Sequence, residues 1–282
     1  LVTFDLLRYA IKFTPFSRPE YSESSNPTFE FLKKNIDVYR LAGESGPILP
    51  ANTWMYGGFS SVSGYDPLVP KRYASYFATL NSDNADKNFD AKKITSGSYT
   101  RYLNINNFKS PLLDLAGNKY VAVLKTKDFK ITSEGKYDLG TFPLSRYKPV
   151  FENGPVVILE NLTVLPRVQL YYSATPSATI ESALDQLQYG QDFRNQIILE
   201  TNKVNRYVEG KGDFVKFDKY TATKVVIHTK TKNEAYLFLS DSNYPGWIVT
   251  INGQPAPLLT AFGVFRAVQV PSGEATVQFI YW

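Results

Sequence analysis

From about Val204 to Trp282 the sequence alternates between apolar and polar residues in short runs. Val225 and Ile227 lie on one face of such a run, and the Asn252-Gly253 pair is the strongest short-range signal for a β-hairpin. Strands at this spacing, separated by turn residues, are typical of two antiparallel sheets packed face to face. This segment therefore predicts a β-sandwich of roughly 80 residues, either jelly-roll-like or immunoglobulin-like.

The first 165 residues combine helical and strand patterns. Asn26 and Pro27 provide an N-cap followed by proline at the first helical position, which predicts a short helix. Aromatic and aliphatic residues recur at helical spacing over 70–80, which predicts an amphipathic helix there. The residues after it, 81–98, are polar and of mixed charge and predict a surface loop.

Helix and strand signals continue through the middle of the chain. A capped helix is predicted from Ser110 to Gly117, followed by a strand over 119–125. The Asn153-Gly154 turn precedes an apolar run that predicts a buried strand. Ser177 is the predicted cap of the last helix, which is followed by a strand over 196–200.

These patterns predict an α+β fold, with a mixed α/β N-terminal portion followed by a mainly antiparallel β-sandwich. We divide the 282 residues into a mixed α/β domain at 1–165, a helix-strand connector at 166–203 and a β-sandwich domain at 204–282. Hydrophobic residues make up 43% and charged residues 20% of the chain, as in ordinary globular proteins.

Composition excludes several kinds of site. The chain has no cysteine and a single histidine, which excludes disulfides, Cys/His zinc sites, a cysteine nucleophile and iron–sulfur centres. His228 lies in a predicted strand, where a structural role is expected. The net charge of +5 suits an anionic envelope or membrane surface and is too small to indicate nucleic acid. We expect no cofactor, no metal site and no catalytic residue within this chain.

The sequence contains an unusual run of aromatic, glycine and polar residues from Asn52 to Tyr73. One interpretation is a groove in which aromatic rings stack on sugars while polar side chains bind hydroxyls or an anionic group. The alternative is a buried connector in which Asp66 caps the following helix. The candidate ligand-binding residues of this run are Asn52, Tyr56, Tyr65, Asp66, Arg72 and Tyr73.

A second cluster spans 240–247 and ends in Trp247, with Arg266 on a nearby predicted strand. Both are candidate ligand-binding residues. Trp247 is followed by alternating apolar residues, so a place in the core is the competing interpretation. Arg266 has an alternative role as a cation lying flat over an aromatic ring.

Both ends of the sequence suggest a piece of a longer protein. The single methionine is Met55, and the last residues are an alternating apolar run without a polar tail. Apart from the uncharged stretch at 242–265, which its asparagines and prolines mark as strands and turns, the chain has nothing approaching the ~20 apolar residues of a spanning helix. We therefore expect a soluble fragment.

Several blocks, taken in order along the chain, resemble the extracytoplasmic region of YfhO-type bacterial membrane proteins. The blocks are Asp5-Leu6-Leu7-Arg8-Tyr9, Phe13-Thr14-Pro15-Phe16, Val38-Tyr39-Arg40, Gly64-Tyr65-Asp66-Pro67-Leu68, Leu165-Pro166-Arg167-Val168 and Asp241-Ser242-Asn243-Tyr244-Pro245-Gly246-Trp247. We add Arg167 of the fifth block to the candidate ligand-binding residues. The chain departs from the family pattern at Ala116-Gly117 and in the insert at 81–98.

The resemblance implies a large polytopic protein similar to GT-C glycosyltransferases, which transfer a sugar from a polyprenyl-phosphate donor. This chain would then be a domain on the extracytoplasmic face of the cell membrane. It would position an envelope glycan, a teichoic acid or a lipid acceptor beside the membrane portion of the same polypeptide, and would itself be non-catalytic. A free-standing carbohydrate-binding module, a structural lid without a ligand and a secreted hydrolase are the alternatives.

Overall fold

The computed structural model describes residues 2–13, 26–43, 48, 50–83, 86–99, 101–125, 130–131, 137–138, 142–190 and 192–282. Thr14, Pro15 and Phe16 of the second resemblance block lie outside the described residues. The described helices are α1 (Val2–Phe13), α2 (Pro27–Asn35), α3 (Lys71–Asn81), α4 (Ala91–Ser96), α5 (Leu112–Leu115) and α6 (Ile180–Gln188), with a 3₁₀ helix at Thr53–Gly57.

The strands are interspersed with these helices up to α6 and follow one another without a helix after it. They are β1 (Arg40–Gly43), β2 (Ser60–Ser61), β3 (Gly64–Tyr65), β4 (Tyr102–Leu103), β5 (Asn118–Leu124), β6 (Lys130–Ile131), β7 (Tyr137–Asp138), β8 (Tyr147–Asn153), β9 (Val156–Asn161), β10 (Val168–Tyr171), β11 (Ala174–Ser177), β12 (Ile197–Glu200), β13 (Phe214–Tyr220), β14 (Lys224–Thr231), β15 (Ala235–Ser242), β16 (Trp247–Ile251), β17 (Gln254–Ala256), β18 (Leu259–Ala261), β19 (Phe265–Val270) and β20 (Gly273–Tyr281).

Three sheets of five or six strands organise the molecule. The N-terminal sheet has the order β2-β1-β5-β9-β8, the central sheet β10-β15-β19-β18-β12-β11 and the C-terminal sheet β13-β14-β20-β16-β17. Most pairs are antiparallel, while β1 runs parallel to β2 and β5, and β11 runs parallel to β12. The predicted α+β class, with an antiparallel sandwich at the C-terminus, is confirmed.

The central sheet is covered on both faces, which explains why both faces of β15 carry apolar side chains. Leu237 and Leu239 pack against the C-terminal sheet, while Tyr236 and Phe238 belong to a core shared with α3 and α6. A strand with both faces covered has little need for polar residues. The domain division at 165 and 203 stays a prediction, and strands from 166–203 pair within the same sheet as β15.

Several predicted elements are confirmed with small shifts. Asn26 caps α2 by accepting a hydrogen bond from the amide of Thr28 at 2.9 Å. The predicted helix at 70–80 is α3, and α6 is the last helix before residues 192–282, which form strands and loops. The hairpin turn at Asn252-Gly253 is also present, between β16 and β17, and both of its residues have positive φ.

Three local predictions are wrong. The stretch 81–98 is not wholly a loop, because Asp90 caps α4 through the amide of Lys93 at 3.1 Å. The helix α6 is capped by Thr179, whereas the hydroxyl of Ser177 donates to the carbonyl of Thr179. Asp66 does not cap α3, because its carboxylate accepts a hydrogen bond from the amide of Leu68 in the preceding turn.

Candidate functional site

Asp241 lies near the end of β15, at a bulge in that strand. The pairing of β15 with β19 shifts register between Leu239 and Ser242. A bulge redirects side chains relative to the regular alternation of a strand. Asp241 is 7% exposed, so its carboxylate has to find its partners inside the protein.

Three arginines from distant parts of the chain meet at this carboxylate. Arg40 at the start of β1 donates from Nη2 to Oδ1 at 2.9 Å, and Arg266 of β19 lies 3.1 Å from Oδ2. Arg167, just before β10, donates to Oδ1, and the hydroxyl of Tyr220 lies 3.1 Å from the same oxygen. We call Arg40, Arg167, Arg266 and Asp241 the arginine cluster.

The arginines are also held by groups outside the carboxylate. Arg167 donates from Nε to the Ser240 hydroxyl at 3.0 Å and from Nη1 to the Val38 carbonyl at 2.5 Å. Arg40 donates from Nη1 to the Ala116 carbonyl at 2.6 Å. The cluster therefore joins the N-terminal sheet to the central sheet.

Burial and mutual proximity set the pKa values of the cluster. Burial by itself raises the pKa of Asp241, but Arg167, Arg40 and Arg266 outweigh it and the net pKa is lowered. Burial lowers the pKa of Arg266 to about 10, against the opposing effect of Asp241 and with a further lowering by Arg167. Arginine side chains stay protonated in proteins, and the lowered pKa of Asp241 keeps its carboxylate ionised at neutral pH.

Trp247 covers one side of the cluster. The guanidinium of Arg266 lies 3.6 Å from the centre of the Trp247 ring, a cation–π contact. The ring of Tyr281 lies 5.3 Å from Trp247 on the same sheet. The alternative role of Arg266, lying over an aromatic ring, is confirmed. Trp247 is half-buried and packs against the core between the central and C-terminal sheets.

A pocket opens beside the cluster at Arg40. It has a volume of about 490 Å³, within the size range of small-molecule sites. Arg40 is its cationic lining residue, and we call it the Arg40 pocket. Its polar and aromatic lining residues are Arg40, Asn52, Ser61, Ser63, Tyr65, Asp66, Tyr73 and Ser242.

A second pocket of about 400 Å³ lies next to it and is partly lined by Trp247, so we call it the Trp247 pocket. The two pockets share Pro70, and their linings include the neighbouring residues Ser242 and Asn243. Arg72 lines the Trp247 pocket and is paired with Glu200 at 2.5 Å.

The last strands, which carry Asp241, Trp247 and Arg266, lie in the part of the chain that matches a known family model. Residues 211–282 match the family model of the bacterial membrane protein YfhO. The predicted resemblance is confirmed for this YfhO-matched segment, which is the last 72 of the 282 residues. Neither a curated protein nor a solved structure matches the chain significantly.

The YfhO match links the segment to a membrane protein family. Among the described helices, none combines the length and the apolar character needed to cross a membrane. The described residues also contain no group of three or more acidic or histidine side chains placed to hold a metal ion. His228, inside the YfhO-matched segment, packs against Phe214 with ring centres 5.7 Å apart.

The structure separates eight of the nine candidate residues into three groups. Asn52, Tyr65, Asp66 and Tyr73 line the Arg40 pocket; Arg72 and Trp247 line the Trp247 pocket; and Arg167 and Arg266 are buried in the cluster. Tyr56 is 89% exposed and lines neither pocket.

Some of the pocket residues also hold the loop in place. The side-chain amide of Asn52 makes two hydrogen bonds to the backbone of Tyr65. Its Nδ2 donates to the Tyr65 carbonyl at 2.7 Å, and its Oδ1 accepts from the Tyr65 N–H at 3.2 Å. Tyr73 donates its hydroxyl proton to the carbonyl of Val62 at 2.5 Å. The ring of Tyr65 lies 4.7 Å from that of Tyr102, so an aromatic pair stands at the pocket wall.

Sequence reasoning missed Arg40, Tyr220 and Asp241 as members of a site. One signal was available for Asp241, because it follows an apolar run in which both faces of the strand are buried. A carboxylate at the end of such a run must be paired or lose its charge. Arg167 and Arg266 were candidates on other grounds, but no comparable signal identified Arg40, which lies 201 positions away in sequence.

Proposed function

We propose that this chain is an extracytoplasmic domain of a polytopic bacterial membrane protein. In this proposal it positions an envelope glycan, a teichoic acid or a lipid acceptor for sugar transfer from a polyprenyl-phosphate-linked donor. The YfhO match supports membrane association of the protein. Transfer itself is assigned to the membrane portion of the same polypeptide, so we expect no turnover by this chain alone.

The observation that carries the recognition role is the lining of the Arg40 pocket. Its wall contains Tyr65, paired with the ring of Tyr102, and aromatic rings of this kind stack on the apolar faces of sugars. Ser61, Ser63 and Tyr73 add hydroxyl groups to the lining. A pocket with an aromatic wall and a few fixed polar groups suits one or two sugar units.

The test is a calorimetric titration of the chain with neutral oligosaccharides and with teichoic-acid fragments. Saturable binding in the ~µM to mM range is expected for the natural sequence. Tyr65→Ala should weaken binding at least about tenfold, the loss of roughly 1.4 kcal/mol of contact energy with the aromatic wall. The matched control Tyr56→Ala changes an exposed tyrosine that lines neither pocket and should bind as the natural sequence does.

Two results would contradict the recognition role. One is the absence of saturable binding with every fragment, and the other is equal binding by a folded Tyr65→Ala variant. Far-ultraviolet circular dichroism of each variant would establish that the fold is intact.

The structural-lid alternative is favoured by the arginine cluster, which ties two sheets together with buried ion pairs. It predicts no binding in the titration and a loss of stability when the cluster is disrupted. A free-standing carbohydrate-binding module predicts the same binding as our proposal but a parent gene that encodes no membrane helices.

A further inference from the structure

The arginine cluster carries more positive charge than its described partners neutralise. Among the described residues, Asp241 is the one carboxylate paired with Arg40, Arg167 or Arg266. Three guanidinium groups and one carboxylate leave a net charge of +2. Buried charge that is not matched by an opposite charge is costly, and it attracts anions to any solvent-accessible side of the cluster.

Arg266 shows this surplus directly. Its side chain is almost wholly buried, and its Nε and Nη1 atoms have no hydrogen-bond partner within the described part of the chain. Its contacts are the Asp241 carboxylate and the faces of Trp247 and Phe279. The protein therefore retains a buried cation whose charge is only partly compensated.

Arg40 is the member of the cluster that reaches solvent. Its side chain is 14% exposed and lines the Arg40 pocket. Its described hydrogen bonds use both hydrogens of Nη1 and one of Nη2, to Ala116, Ser240 and Asp241. A guanidinium has five N–H donors, so two remain beyond these described bonds.

We propose that the Arg40 pocket binds a phosphoryl group, with Arg40 as the cationic contact and the hydroxyls of Ser61 and Ser63 as hydrogen-bond donors. The Oγ atoms of Ser61 and Ser63 lie 3.1 Å apart and are hydrogen-bonded to each other in the free pocket. A phosphoryl group bound between them would accept from both hydroxyls in place of that bond. This inference rests on the proposed function, because it names the anionic part of the acceptor bound in the same pocket.

A phosphoryl group fits the chemistry of the pocket better than a carboxylate. A phosphate monoester carries about −1.5 to −2 charges near neutral pH and three acceptor oxygens, which match a net charge of +2 and several donors. Guanidinium groups bind such oxygens in a fork geometry. Asp66 opposes an anion in the same pocket, but it is exposed and its Oδ1 accepts from the amide of Leu68 at 2.8 Å.

The test is a titration of the chain with sn-glycerol 3-phosphate at pH 7 and low salt. Saturable binding is expected, with an affinity that falls as salt is added and rises between about pH 5.5 and 7.5 as the phosphate loses its second proton. Ser63→Asp places a carboxylate in the pocket without touching the buried cluster, and should weaken binding at least tenfold.

Two controls accompany this variant. Ser63→Asn has a similar size without the charge and should lose far less affinity than Ser63→Asp. Ser98→Asp adds the same charge at an exposed serine that lines neither pocket and should bind as the natural sequence does. Absence of saturable binding by the natural sequence, or equal affinities for Ser63→Asp and Ser63→Asn, would overturn the proposal.

The arms of the experiment separate this inference from the proposed function. Binding of neutral oligosaccharides without glycerol phosphate would overturn the phosphoryl site and leave glycan recognition standing. Binding of glycerol phosphate without binding of any glycan would support the phosphoryl site and overturn glycan recognition.

The source of the phosphate is decided with lipid vesicles. Flotation with phosphatidic acid vesicles that Ser63→Asp abolishes, and that phosphatidylcholine vesicles do not reproduce, would support a lipid headgroup as ligand. Binding of glycerol phosphate without flotation would support a soluble or polymeric phosphate.

Discussion

Asp241 is the single residue on which the electrostatics of the arginine cluster depend. It is the described carboxylate that faces three guanidinium groups, and it is almost completely buried. Removal of the acidic partner from a buried ion pair is far more costly than removal of a surface pair, because the remaining charges have no water around them. The free energy of unfolding should therefore depend strongly on this side chain.

Asp241→Asn should reduce the free energy of unfolding by about 3–5 kcal/mol at pH 7, measured by urea denaturation. The pKa of Asp241 is lowered in the folded protein, so its stabilising effect is present above the unfolded value of about 3.9. The effect disappears as the pH falls through the folded pKa, because the native carboxylate is then protonated. The difference between the natural sequence and the variant should therefore shrink below about pH 3.9.

Glu200→Gln is the control for this measurement. Its partner Arg72 is 43% exposed, so the variant should cost no more than about 1 kcal/mol. Equal losses for the two variants, or a difference for Asp241→Asn that persists unchanged at pH 2.5, would contradict the assigned role of Asp241.

At the scale of elements, the turn between α5 and β5 shapes the cluster. Gly117 in this turn has a φ of +71°, and a Cβ atom there would lie 2.5 Å from Cδ of Arg167. The carbonyl of Ala116, in the same turn, accepts a hydrogen bond from Arg40. The turn therefore needs both the positive φ and the small size of glycine.

Gly117→Ala should lower the free energy of unfolding by about 2–4 kcal/mol, from left-handed strain together with a clash against a side chain held by its ion pair. Gly154→Ala is the matched control, because Gly154 also has a positive φ but a Cβ atom there meets no atom of the described residues within 4 Å. It should cost about 1 kcal/mol. Equal costs in thermal or urea unfolding would show that the approach to Arg167 has no energetic weight.

At the scale of the whole molecule, one core runs from the N-terminal portion into the central sheet. It includes Ala42 of β1, Tyr76 of α3 and Phe265 of β19. The rings of Tyr76 and Phe265 meet edge to face with centres 5.0 Å apart. Portions that share a core of this kind are expected to unfold together.

Residues 204–282 expressed alone should therefore fail to unfold cooperatively. The fragment lacks β10, one of the two strands that pair with β15, and leaves Tyr236 and Phe238 without their covering layer. Circular dichroism during heating should show a broad change for the fragment and a single sigmoidal transition for the full chain. A sharp transition in the fragment would instead support the predicted sandwich domain as an independent unit.

Much of the secondary structure follows from local chemistry. The helices α2, α3 and α6 have clear periodicity or caps, and Asn252-Gly253 specifies its turn because both residues accept positive φ. The helix α4 differs from the predicted loop because its apolar face is limited to Ala91 and Ile94, and its clearest signal is the cap residue Asp90. Local patterns of this kind depend on neighbours within a few positions, which a sequence displays directly.

The candidate site, unlike the secondary structure, does not follow from local sequence patterns. The sequence by itself determined the fold class, most of the strands, the exclusion of cysteine chemistry and the aromatic loop beside Tyr65. Only the tertiary structure brought Arg40, Arg167 and Arg266 to one carboxylate and left Tyr56 outside the pockets. The physical reason is that ion pairing and burial depend on distances between residues up to 201 positions apart, which the packing of the sheets decides.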